Sequence, residues 1–590
     1  MTTRTKIICT IGPACNTVEK MIALMEAGMN VARLNFSHGT HDAHLSSINN
    51  LKEARKRSNK PLAILLDTKG PEIRVGKVEG DGLSLTAGQH LLLVKEEVMG
   101  TKDGVTVVPS IIFESVHEGM TVLFDNGFIS SRIVKVVQDG FIVEIDNPGI
   151  LKSNKGVNIP NKAVDLPAMT EKDIEDICFG CRHDIDLIAA SFVRSAENVL
   201  EIKRLLIKEG KPDILVFAKI ESFQGVENFD AIVQVADGIM IARGDLGVEL
   251  PVYQVPRLQK MMIRKSCLAG KPIVTATQML ESMMNNPRPT RADVSDIANA
   301  IYDSTSCVML SGETAVGLYP VETVRVMKSV IQEAEGDFNY REFFYHDVKR
   351  VYHDIASSVT LASVKTAYSA GAKAIFTFTS SGRTARLISR LRPEKPIIAM
   401  TPSEKIYNQL SFNWGVVPFL CKDATTFEAA FAKISQFALE MGLVNYGDLV
   451  VVTAGNPFGV SGTTNMMLVE SIGDVVVRGS KGSGSVISGK VAIVLAPDSR
   501  LEKNTKGCLV VVTRCNDSYI PIIKNALGII LQNHVDDVDS ERYVMAIAKS
   551  LGIPVIVQAD AACHVLKDGQ VITIDPQKGL VYKGVVEGLG

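Results

Sequence analysis

The sequence predicts an α/β protein built on a (β/α)8 TIM barrel, and three observations lead to this prediction. Eight short apolar runs end in polar or glycine residues, helical stretches separate them, and the two types alternate along the chain. Such alternation is typical of parallel strands joined by right-handed crossovers, which close into a barrel with its active site at the carboxyl ends of the strands. The eight runs are KIICTIGP, VARLNFSHG, LAILLDTKG, DLIAASFVR, ILVFAKIES, GIMIARGDLG, PIVTATQML and CVMLSGETA.

The third and fourth runs are separated by roughly a hundred residues, far more than an ordinary βα loop. The segments LSLTAGQHLLLV and GMTVLFDNGFISSRIVKVVQDGFIVEI alternate in polarity and are broken by Gly, Asp and Asn turns. We therefore predict a small inserted β-barrel domain at 71–169, lying over the mouth of a catalytic barrel formed by 1–70 and 170–345. Such a lid could exclude water from a phosphoryl transfer.

Lys219 and Glu221 lie two residues apart at the end of the apolar run Ile214 to Ala218, so their side chains point the same way. An isolated pair of this kind is ordinarily a salt bridge. Here, however, other runs end in polar residues that should converge on the same mouth: Arg33, Asn35, Ser37, Asp67, Thr68, Lys69, Arg243, Asp245 and Thr277. The pair is therefore predicted to be part of a binding site.

The residue types at this mouth indicate a metal and a phosphate. Glu221 and Asp245 are two carboxylates without a histidine or thiol, a combination that suits Mg2+ or Mn2+. A lysine beside such a metal is placed to stabilise a developing oxyanion. Arg33 and Arg74 add guanidinium donors suited to phosphate.

Composition limits the other classes of function. The chain has 590 residues, 46% of them hydrophobic, which is enough for several domains. A formal charge of -2, from 63 basic and 65 acidic residues, gives no overall field for nucleic acid or anionic lipid. The sequence has no membrane-length apolar run or signal peptide, and its ten cysteines lie mostly in apolar runs, which favours reduced thiols. We predict a cytoplasmic protein with no nucleic-acid or membrane partner.

Two further segments follow the barrel. Residues 346–473 alternate again between apolar runs and helical stretches, and predict a C-terminal α/β domain. In this domain the stretch TSSGRT, residues 379–384, is either a phosphate cradle between a strand and a helix or a simple N-cap turn. After the flexible link RGSKGSGSVISG, residues 474–590 form an extra domain.

Many motifs of the first 315 residues, taken together and in order, resemble the pyruvate kinase family. They are TKIICTIGPA, MNVARLNFSHGTH, LLDTKGPEIR, KGVNIPN, DLPAMTEKD, SFVR, KIES, GIMIARGDLGVE, TATQMLESM, RPTRADVSDIANAI and MLSGETA. The resemblance implies transfer of the phosphoryl group of phosphoenolpyruvate to ADP, giving ATP and pyruvate, in the last step of glycolysis. It also implies a homotetramer.

The resemblance also implies roles for individual residues. The catalytic residues would be Lys219, Thr277 and Arg33, and the substrate contacts Arg33, Lys219, Gly244, Asp245 and Thr277. The metal ligands would be Glu221 and Asp245 for Mg2+ (or Mn2+), and Asn35, Ser37, Asp67 and Thr68 for K+. The nucleotide contacts would be Asn35, Phe36, Ser37, His38, Arg74 and Lys155. Glu72 is the residue type found in potassium-dependent members.

The C-terminal α/β domain resembles the family's C domain, in which this loop binds phosphorylated allosteric effectors. The implied effector-binding residues are Thr379, Ser380, Ser381, Gly382, Arg383 and Thr384, and we expect Trp414 and the 455–462 loop to complete that site. The chain departs from the family pattern at Ser304 and Ser306, where glycine and aspartate are usual. We expect these two serines to lie beside the active site and to affect rates.

The extra domain, 474–590, resembles the mobile phosphohistidine domain of phosphoenolpyruvate-using enzymes, notably at SLGIPVIVQAD. The matching stretch SERYVMAIAKS places Tyr543 where the phosphorylated histidine would be. We therefore predict a phosphohistidine-like α/β domain that lacks its histidine and acts as a structural or oligomer-stabilising appendage.

Two other functions fit part of the pattern. A Mg2+-dependent lyase or aldolase acting on an enolate would need the metal carboxylates, but not the nucleotide-side groups, the potassium ligands or the lid. A ligand-sensing relative without catalysis is suggested by Ser304, Ser306 and the lost histidine. The intact set of Lys219, Glu221, Asp245 and Thr277 argues against it.

Overall fold

A computed structural model describes residues 3–114, 116–160, 166–347, 354–458, 462–497 and 502–586. The chain divides into two compact units, and each is considered by itself below. The first comprises 1–361, 377–423 and 459–464, and the second 362–376, 424–458 and 465–590. The four-domain division predicted from the sequence remains a proposal.

The first unit begins with β1 Lys6–Thr10, α1 Val18–Ala27, β2 Met29–Asn35, α2 His41–Ser58 and β3 Ala63–Asp67. The described strands that follow are β4 Arg74–Val75, β5 Leu83–Leu85, β6 His90–Val94, β7 Gly104–Val108, β8 Thr121–Phe124, β9 Ile129–Val137, β10 Gly140–Ile145, β11 Gly149–Leu151 and β12 Val157–Asn158. Alternation then resumes with α3 Glu171–Arg182, β13 Leu187–Ala190, α4 Ala196–Lys208, β14 Leu215–Ile220, α5 Phe223–Glu227, α6 Phe229–Val235, β15 Gly238–Ala242, α7 Arg243–Glu249, α8 Val255–Ala269, β16 Ile273–Ala276, α9 Arg291–Tyr302, β17 Cys307–Leu310, α10 Gly312–Ala315, α11 Pro320–Asp337 and α12 Tyr340–Asp347.

Eight of these strands close into a parallel barrel in the order β1, β2, β3, β13, β14, β15, β16, β17, which confirms the predicted fold. Residues alternate between the two faces of each strand. Ile8, Val31, Leu65 and Phe217 fill the inside of the barrel, and their sequence neighbours pack outward against the helices. The run predicted to end at Ala218 continues as strand to Ile220, because Lys219 and Ile220 still pair with β15.

Local sequence fixes where several barrel helices begin. Thr170, Ser195 and Thr290 precede α3, α4 and α9, and each side chain accepts a hydrogen bond from a backbone N–H in the first turn. In all three cases the N3 side chain bonds back to the cap residue, which completes a capping box. These N-cap residues end the loops that follow the carboxyl ends of the strands, and their hydrogen bonds fix the ends of those loops.

The all-β insertion is confirmed. Its strands form a seven-stranded sheet, in the order β12, β8, β9, β10, β6, β7, β4, and a two-stranded sheet of β11 and β5. Both sheets contribute to one core, in which Leu91, Val105, Phe124 and Phe141 are fully buried.

The alternating segment that follows contains α13 Ile355–Ser369, β18 Ala374–Phe378, α14 Arg383–Ser389, β19 Ile397–Thr401, α15 Glu404–Leu410, β20 Val416–Leu420, α16 Phe427–Glu440, β21 Leu449–Gly455 and β22 Thr464–Ser471. Within the first unit, β19 pairs with β20 in parallel. The predicted C-terminal α/β segment is therefore present.

The last segment of the second unit contains β23 Val475–Arg478, β24 Lys481–Ser483, β25 Ile487–Val494, α17 Glu502–Thr505, β26 Cys508–Val512, α18 Ile520–Ile523, β27 Gly528–Leu531, α19 Val538–Leu551, β28 Val555–Val557, α20 Ala562–Val565, β29 Val571–Asp575 and β30 Leu580–Lys583. These strands form one eight-stranded sheet, in the order β23, β30, β29, β25, β26, β27, β28, β24. We call this segment, 475–583, the C-terminal sheet domain.

All ten cysteines are free thiols. Among the described residues, the search for a helix both long and apolar enough to cross a membrane found none.

Candidate active site

The inner faces of three strands bring charged groups together at the mouth of the barrel. Arg33 follows the inward-facing Val31 on β2, Asp67 follows Leu65 on β3, and Lys219 follows Phe217 on β14. Each lies two residues further along its strand than a core residue, so alternation turns all three toward the barrel axis. All three are buried.

Asp67 bridges the two cations of this group. Its Oδ2 accepts a hydrogen bond from Arg33 Nε at 2.5 Å, and its Oδ1 accepts one from Lys219 Nζ at 3.0 Å. Lys219 Nζ also donates to Ser191 Oγ at 2.6 Å and lies 3.1 Å from Glu221 Oε1. Arg33 Nη1 donates to Thr10 Oγ1 at 2.9 Å. The structure therefore confirms that the side chains of Arg33, Asp67, Lys219 and Glu221 converge at the barrel mouth.

These contacts set the protonation of the buried groups. Burial opposes the charge on Asp67, but Arg33 and Lys219 outweigh it and hold its pKa below the usual range. Burial likewise opposes the charge on Lys219, yet the Asp67 and Glu221 carboxylates raise its pKa. Lys219 therefore stays protonated at neutral pH.

Glu221 is the group whose charge the site compensates least. Burial raises its pKa and the neighbouring Asp245 carboxylate adds to the effect, while Lys219 opposes both. Asp245 lies in the first turn of α7 and is half-buried. The site thus combines the cations Arg33 and Lys219 with three carboxylates, and it lacks one positive charge.

A divalent cation fits this donor set. The negative charge that remains uncompensated is that of Glu221 and Asp245. Both carboxylates are hard oxygen donors of the kind that Mg2+ and Mn2+ prefer. Within the described ranges, no cluster of three or more His, Cys, Asp and Glu side chains could hold a metal alone. A metal at this place would therefore take part of its coordination from substrate or water, as Mg2+ commonly does.

Two backbone features accompany the charged groups. Thr277 has a φ of 67°, unusual for a β-branched residue, and its Oγ1 accepts a hydrogen bond from the Gly244 N–H at 2.9 Å. Phe192 has a φ of 53° and donates its N–H to Glu221 Oε2 at 2.5 Å. The strained turns thus aim a hydroxyl and an amide at the mouth.

A cleft of about 760 Å3, including its open mouth, lies between the inserted segment and the barrel. Its lining includes Glu72, Asn158, Asp245 and Glu249. Asn158 Nδ2 of β12 donates to Glu249 Oε1 of α7 at 2.7 Å, which joins the insertion to the barrel. Burial raises the pKa of Glu249 to about 7, although the bond from Asn158 opposes the shift.

The potassium-ligand candidates lie around Asp67. Asn35 pairs with Asp67 in the strand register, and its Oδ1 accepts the Ser37 N–H at 3.2 Å. Thr68 Oγ1 accepts the Ser191 N–H at 3.1 Å. The set offers neutral oxygens beside one carboxylate, a combination compatible with a monovalent cation.

The nucleotide candidates lie in two places. Arg74 and Lys155 are neighbours in the insertion, where the Val75 N–H donates to the Lys155 carbonyl at 2.8 Å. Arg74 forms an ion pair with Glu72, and Lys155 one with Asp125 at 2.7 Å. His38 is exposed after β2, whereas the Phe36 side chain is buried and stacked on His44, so only the backbone of Phe36 is available to a ligand.

Of the remaining mouth candidates, Arg243 is not directed at the charged cluster. Its Nη1 donates to Asp296 and its Nη2 to the Thr277 carbonyl, both at 2.6 Å. Arg243 therefore supports the backbone of the Thr277 turn.

The effector-loop candidates form a tight turn before α14. Thr379 Oγ1 accepts the Gly382 N–H at 2.9 Å, and Gly382 has a φ of 75°. Arg383 is exposed and lies 3.8 Å from Asp354.

Trp414, which we expected to complete the effector site, is not available to a ligand. It is buried and stacked under Arg392, with its ring centre 4.6 Å from the guanidinium. Residues 459–461 of the 455–462 loop lie outside the described residues.

The expectation for Ser304 and Ser306 is wrong. Both residues precede β17, so they lie at the amino end of the barrel, opposite the mouth. The Ser304 carbonyl and Ser306 Oγ each accept a hydrogen bond from Arg392 Nη2 at 2.9 Å.

In the C-terminal sheet domain, Tyr543 lies on α19 and its hydroxyl donates to Asp517. This carboxylate raises the Tyr543 pKa to about 12. His534 has a largely exposed side chain, 3.1 Å from Asp536.

Sequence reasoning missed several residues of the site. Thr10, Ser191 and the Phe192 amide hold Arg33, Lys219 and Glu221, and the Asn158–Glu249 pair joins lid to barrel. The only signal was position, since Thr10 and Ser191 also end apolar runs.

Comparisons with known proteins agree with this architecture. Residues 2–324 match the profile of the pyruvate kinase barrel domain, 357–470 that of the pyruvate kinase alpha/beta domain, and 504–579 that of the mobile domain of PEP-utilising enzymes. The chain is 42% identical to a pyruvate kinase of Bacillus licheniformis, over 98% of this chain and 99% of the relative. It is 43% identical to one of Geobacillus stearothermophilus, over 99% of each.

A crystal structure of a pyruvate kinase from Cryptosporidium parvum is also similar. It aligns with a TM-score of 0.77 and 38% identity, over 80% of this chain and 96% of that one.

Proposed function

The chain belongs to the pyruvate kinase family and is a phosphotransferase, and on that premise we propose that it transfers the phosphoryl group of phosphoenolpyruvate to ADP. The products are ATP and, after protonation of the enolate, pyruvate. One observation carries the proposal: Lys219 is held protonated between Asp67 and Glu221 at the barrel mouth.

Lys219 and Arg33 bind the charge that moves in the reaction. Arg33 is fixed by Asp67 and Thr10, and its remaining N–H donors bind the phosphate of the substrate. Lys219 stabilises the transferring phosphoryl group and the enolate oxygen with a proton that it keeps throughout. Because both cations are buried and already held, little reorganisation is needed as charge develops.

Glu221 and Asp245 would hold the divalent cation, Mg2+ or Mn2+. When bound, the ion neutralises part of the phosphoryl and enolate charge. The Phe192 amide keeps the Glu221 carboxylate oriented for this role.

The turn at Thr277 positions the rest of the substrate. The Gly244 amide, which donates to Thr277 Oγ1 in this structure, binds the substrate carboxylate. The Thr277 hydroxyl then helps deliver a proton to the methylene carbon of the enolate. Asn35 to His38, Arg74 and Lys155 contact the nucleotide, and the insertion excludes water from the cleft.

Further parts of the proposal rest on the family alone. Asn35, Ser37, Asp67 and Thr68 bind K+, and the 379–384 loop binds a phosphorylated allosteric effector. A homotetramer and a cytoplasmic location are also expected. The C-terminal sheet domain takes no part in phosphotransfer, because Tyr543 replaces the histidine.

The decisive test measures pyruvate and ATP formed from phosphoenolpyruvate and ADP with Mg2+, with either K+ or Na+ as the sole monovalent cation. We expect both products in equal amounts, with activity that requires K+. Pyruvate without ATP would indicate a lyase or phosphatase and contradict the proposal. Equal rates in the two salts would remove the potassium assignment but leave the transfer intact.

A further inference from the structure

A second polar cleft lies at the opposite end of the barrel from the mouth. It has a volume of about 270 Å3, including its open side. The loop after α8 contributes Gly270, Lys271 and Pro272, and the start of β17 contributes Ser306. The chain from α14 onward contributes Arg386, Ser389, Arg390, Arg392 and Asn413.

Four of these lining residues are cationic and none is acidic. Lys271, Arg386 and Arg390 are half-buried, and Arg392 is buried. Among the described residues, no ion pair within 4.0 Å involves Lys271, Arg386 or Arg392, and Arg392 Nε is a buried donor without an acceptor. Cations of this density are ordinarily matched by carboxylates, so the charge of Lys271, Arg386 and Arg392 is at most partly compensated.

The carboxylate that faces Lys271 and Arg386 is already engaged, and Arg390 interacts with the Asp354 carboxylate. Asp237 faces both Lys271 and Arg386, but its Oδ1 accepts from Lys203 Nζ at 3.0 Å and its Oδ2 from the Val216 N–H at 2.9 Å. Burial lowers the pKa of Lys271 and of Arg386, which is the response of cations whose charge is only partly compensated.

Neutral contacts hold the cationic side chains in place. Arg392 Nη2 donates to the Ser304 carbonyl and to Ser306 Oγ, both at 2.9 Å, and its guanidinium stacks on Trp414. Lys271 Nζ donates to the Ala236 carbonyl at 2.6 Å and to the Gln234 carbonyl at 3.4 Å, and it keeps one further N–H donor. Ser306 Oγ also accepts the Ile273 N–H at 3.1 Å, which leaves the Ser306 hydroxyl proton to be donated.

We propose that this cleft binds a tetrahedral oxyanion, either free phosphate or the phosphate group of a phosphorylated metabolite. Several fixed cations and a hydroxyl donor are the groups that recognise such an anion. The cleft is small and open to solvent on one side, which favours a single phosphate group at its mouth over a nucleotide.

The cleft is separate from the 379–384 loop, but it is connected to it. Arg386 lines the cleft, and its Nη2 donates to the Ser381 carbonyl of the loop at 3.0 Å. An anion on Arg386 would therefore act on the backbone that carries the proposed effector residues. The assignment of the cleft itself does not depend on the reaction at the mouth.

The test measures binding of radiolabelled inorganic phosphate by equilibrium dialysis at fixed ionic strength. The full-length Arg383→Gln variant serves as the background, since this exposed change removes the loop arginine. Adding Lys271→Gln and Arg390→Gln should abolish one saturable site per chain, or weaken it at least about tenfold, the cost of one charge-assisted hydrogen bond. Lys265→Gln, on α8 outside the cleft, is the matched control and should leave the site intact.

Binding that is equal with and without the cleft substitutions would overturn the proposal, as would binding lost equally in the control. Crystals of the unmodified chain soaked in selenate give a second measurement that needs no variant. An anomalous peak between Lys271 and Arg392 is expected, and a cleft without one would also overturn the proposal. Competition by glycerol 3-phosphate distinguishes the sources: tighter binding than phosphate indicates a phosphorylated metabolite, and no competition indicates free phosphate.

Discussion

Carboxyl groups at the barrel mouth and in the C-terminal sheet domain differ in how far nearby cations compensate their negative charge. Burial raises the pKa of Glu221 and of Glu249 at the mouth, whereas Lys481 lowers the pKa of Glu541 on α19. A carboxylate with its own lysine is satisfied without a ligand. Carboxyl groups that are buried together require an added cation or a proton, which is typical of a functional site.

The difference agrees with our proposal that the C-terminal sheet domain has kept a fold without its phosphotransfer chemistry. Residues 504–579 match a mobile domain of PEP-utilising enzymes, and in our proposal the residue at the histidine position is Tyr543, which is bonded to Asp517. The barrel keeps Lys219 among three carboxylates. Four experiments sharpen or break this contrast, beginning with the largest expected effect.

Lys219→Met should lower turnover about 100- to 1,000-fold or more, because the transferring charge loses its buried donor. Coupled detection of pyruvate measures the effect. Lys211→Met removes a lysine that pairs with Asp184 elsewhere and should leave the rate unchanged. Wild-type turnover of Lys219→Met would end the catalytic assignment and, with it, the contrast.

Glu221→Gln should weaken Mn2+ binding by more than the roughly 10- to 100-fold that loss of a supporting residue costs. The amide can still accept the Phe192 N–H, so the fold should be kept. Titration followed by Mn2+ electron paramagnetic resonance measures the affinity, with the exposed Glu227→Gln as control. Equal affinities would show that Glu221 is not a ligand.

Glu249→Gln should flatten the pH dependence of stability between about 4.5 and 7. The pKa of this carboxyl is raised in the folded state, to about 7. Its contribution is therefore complete below the unfolded value and is lost as pH rises through 7. At pH 8 the glutamine keeps the bond from Asn158 without a buried charge and should stabilise the chain by on the order of 1 kcal/mol.

Thermal melts at pH 4.5, 6 and 8 check this prediction. Glu541→Gln is the comparison from the C-terminal sheet domain. The Glu541 pKa is lowered, so its contribution is lost only as pH falls and should be constant in this window. Parallel curves for wild type and Glu249→Gln would contradict the raised pKa.

Tyr543→Phe should leave turnover unchanged and shift stability by no more than about 0.5 kcal/mol, since it removes one exposed hydrogen bond. Incubation of the wild-type chain with labelled phosphoenolpyruvate should leave no acid-labile phosphoryl group on residues 475–583. Label recovered there would show that the domain has kept its chemistry.

Much of the mouth could be predicted from the sequence because strand periodicity and chain order determine it. Lys219 and Glu221 share a face at a spacing of two, and each polar run end lies at the same rim of a parallel barrel. The direction of a strand also decides where Ser304 and Ser306 lie. Both precede β17, so they are at the amino end of the barrel. Their place could therefore be predicted from the sequence, because residues that precede a barrel strand lie opposite the mouth.

Other features depend on distances across the fold. Asp67 is 34 residues from Arg33 and 152 from Lys219, and only closure of the barrel makes it the bridge between them. The hydrogen bond that Glu249 accepts from Asn158 joins residues 91 positions apart, and it opposes the rise in the Glu249 pKa that burial causes. We expected Trp414 to complete the effector site, but packing buries it beneath Arg392.

The sequence by itself determined the eight alternating units, the all-β insertion and the residue types at the strand ends, because periodicity and turn chemistry are local. Only the tertiary structure decided which carboxylate faces which cation, how far burial shifts their pKa values, and that four cations meet at the amino end of the barrel. Electrostatic energy depends on separation and on exclusion of water, and neither quantity exists until the chain has folded.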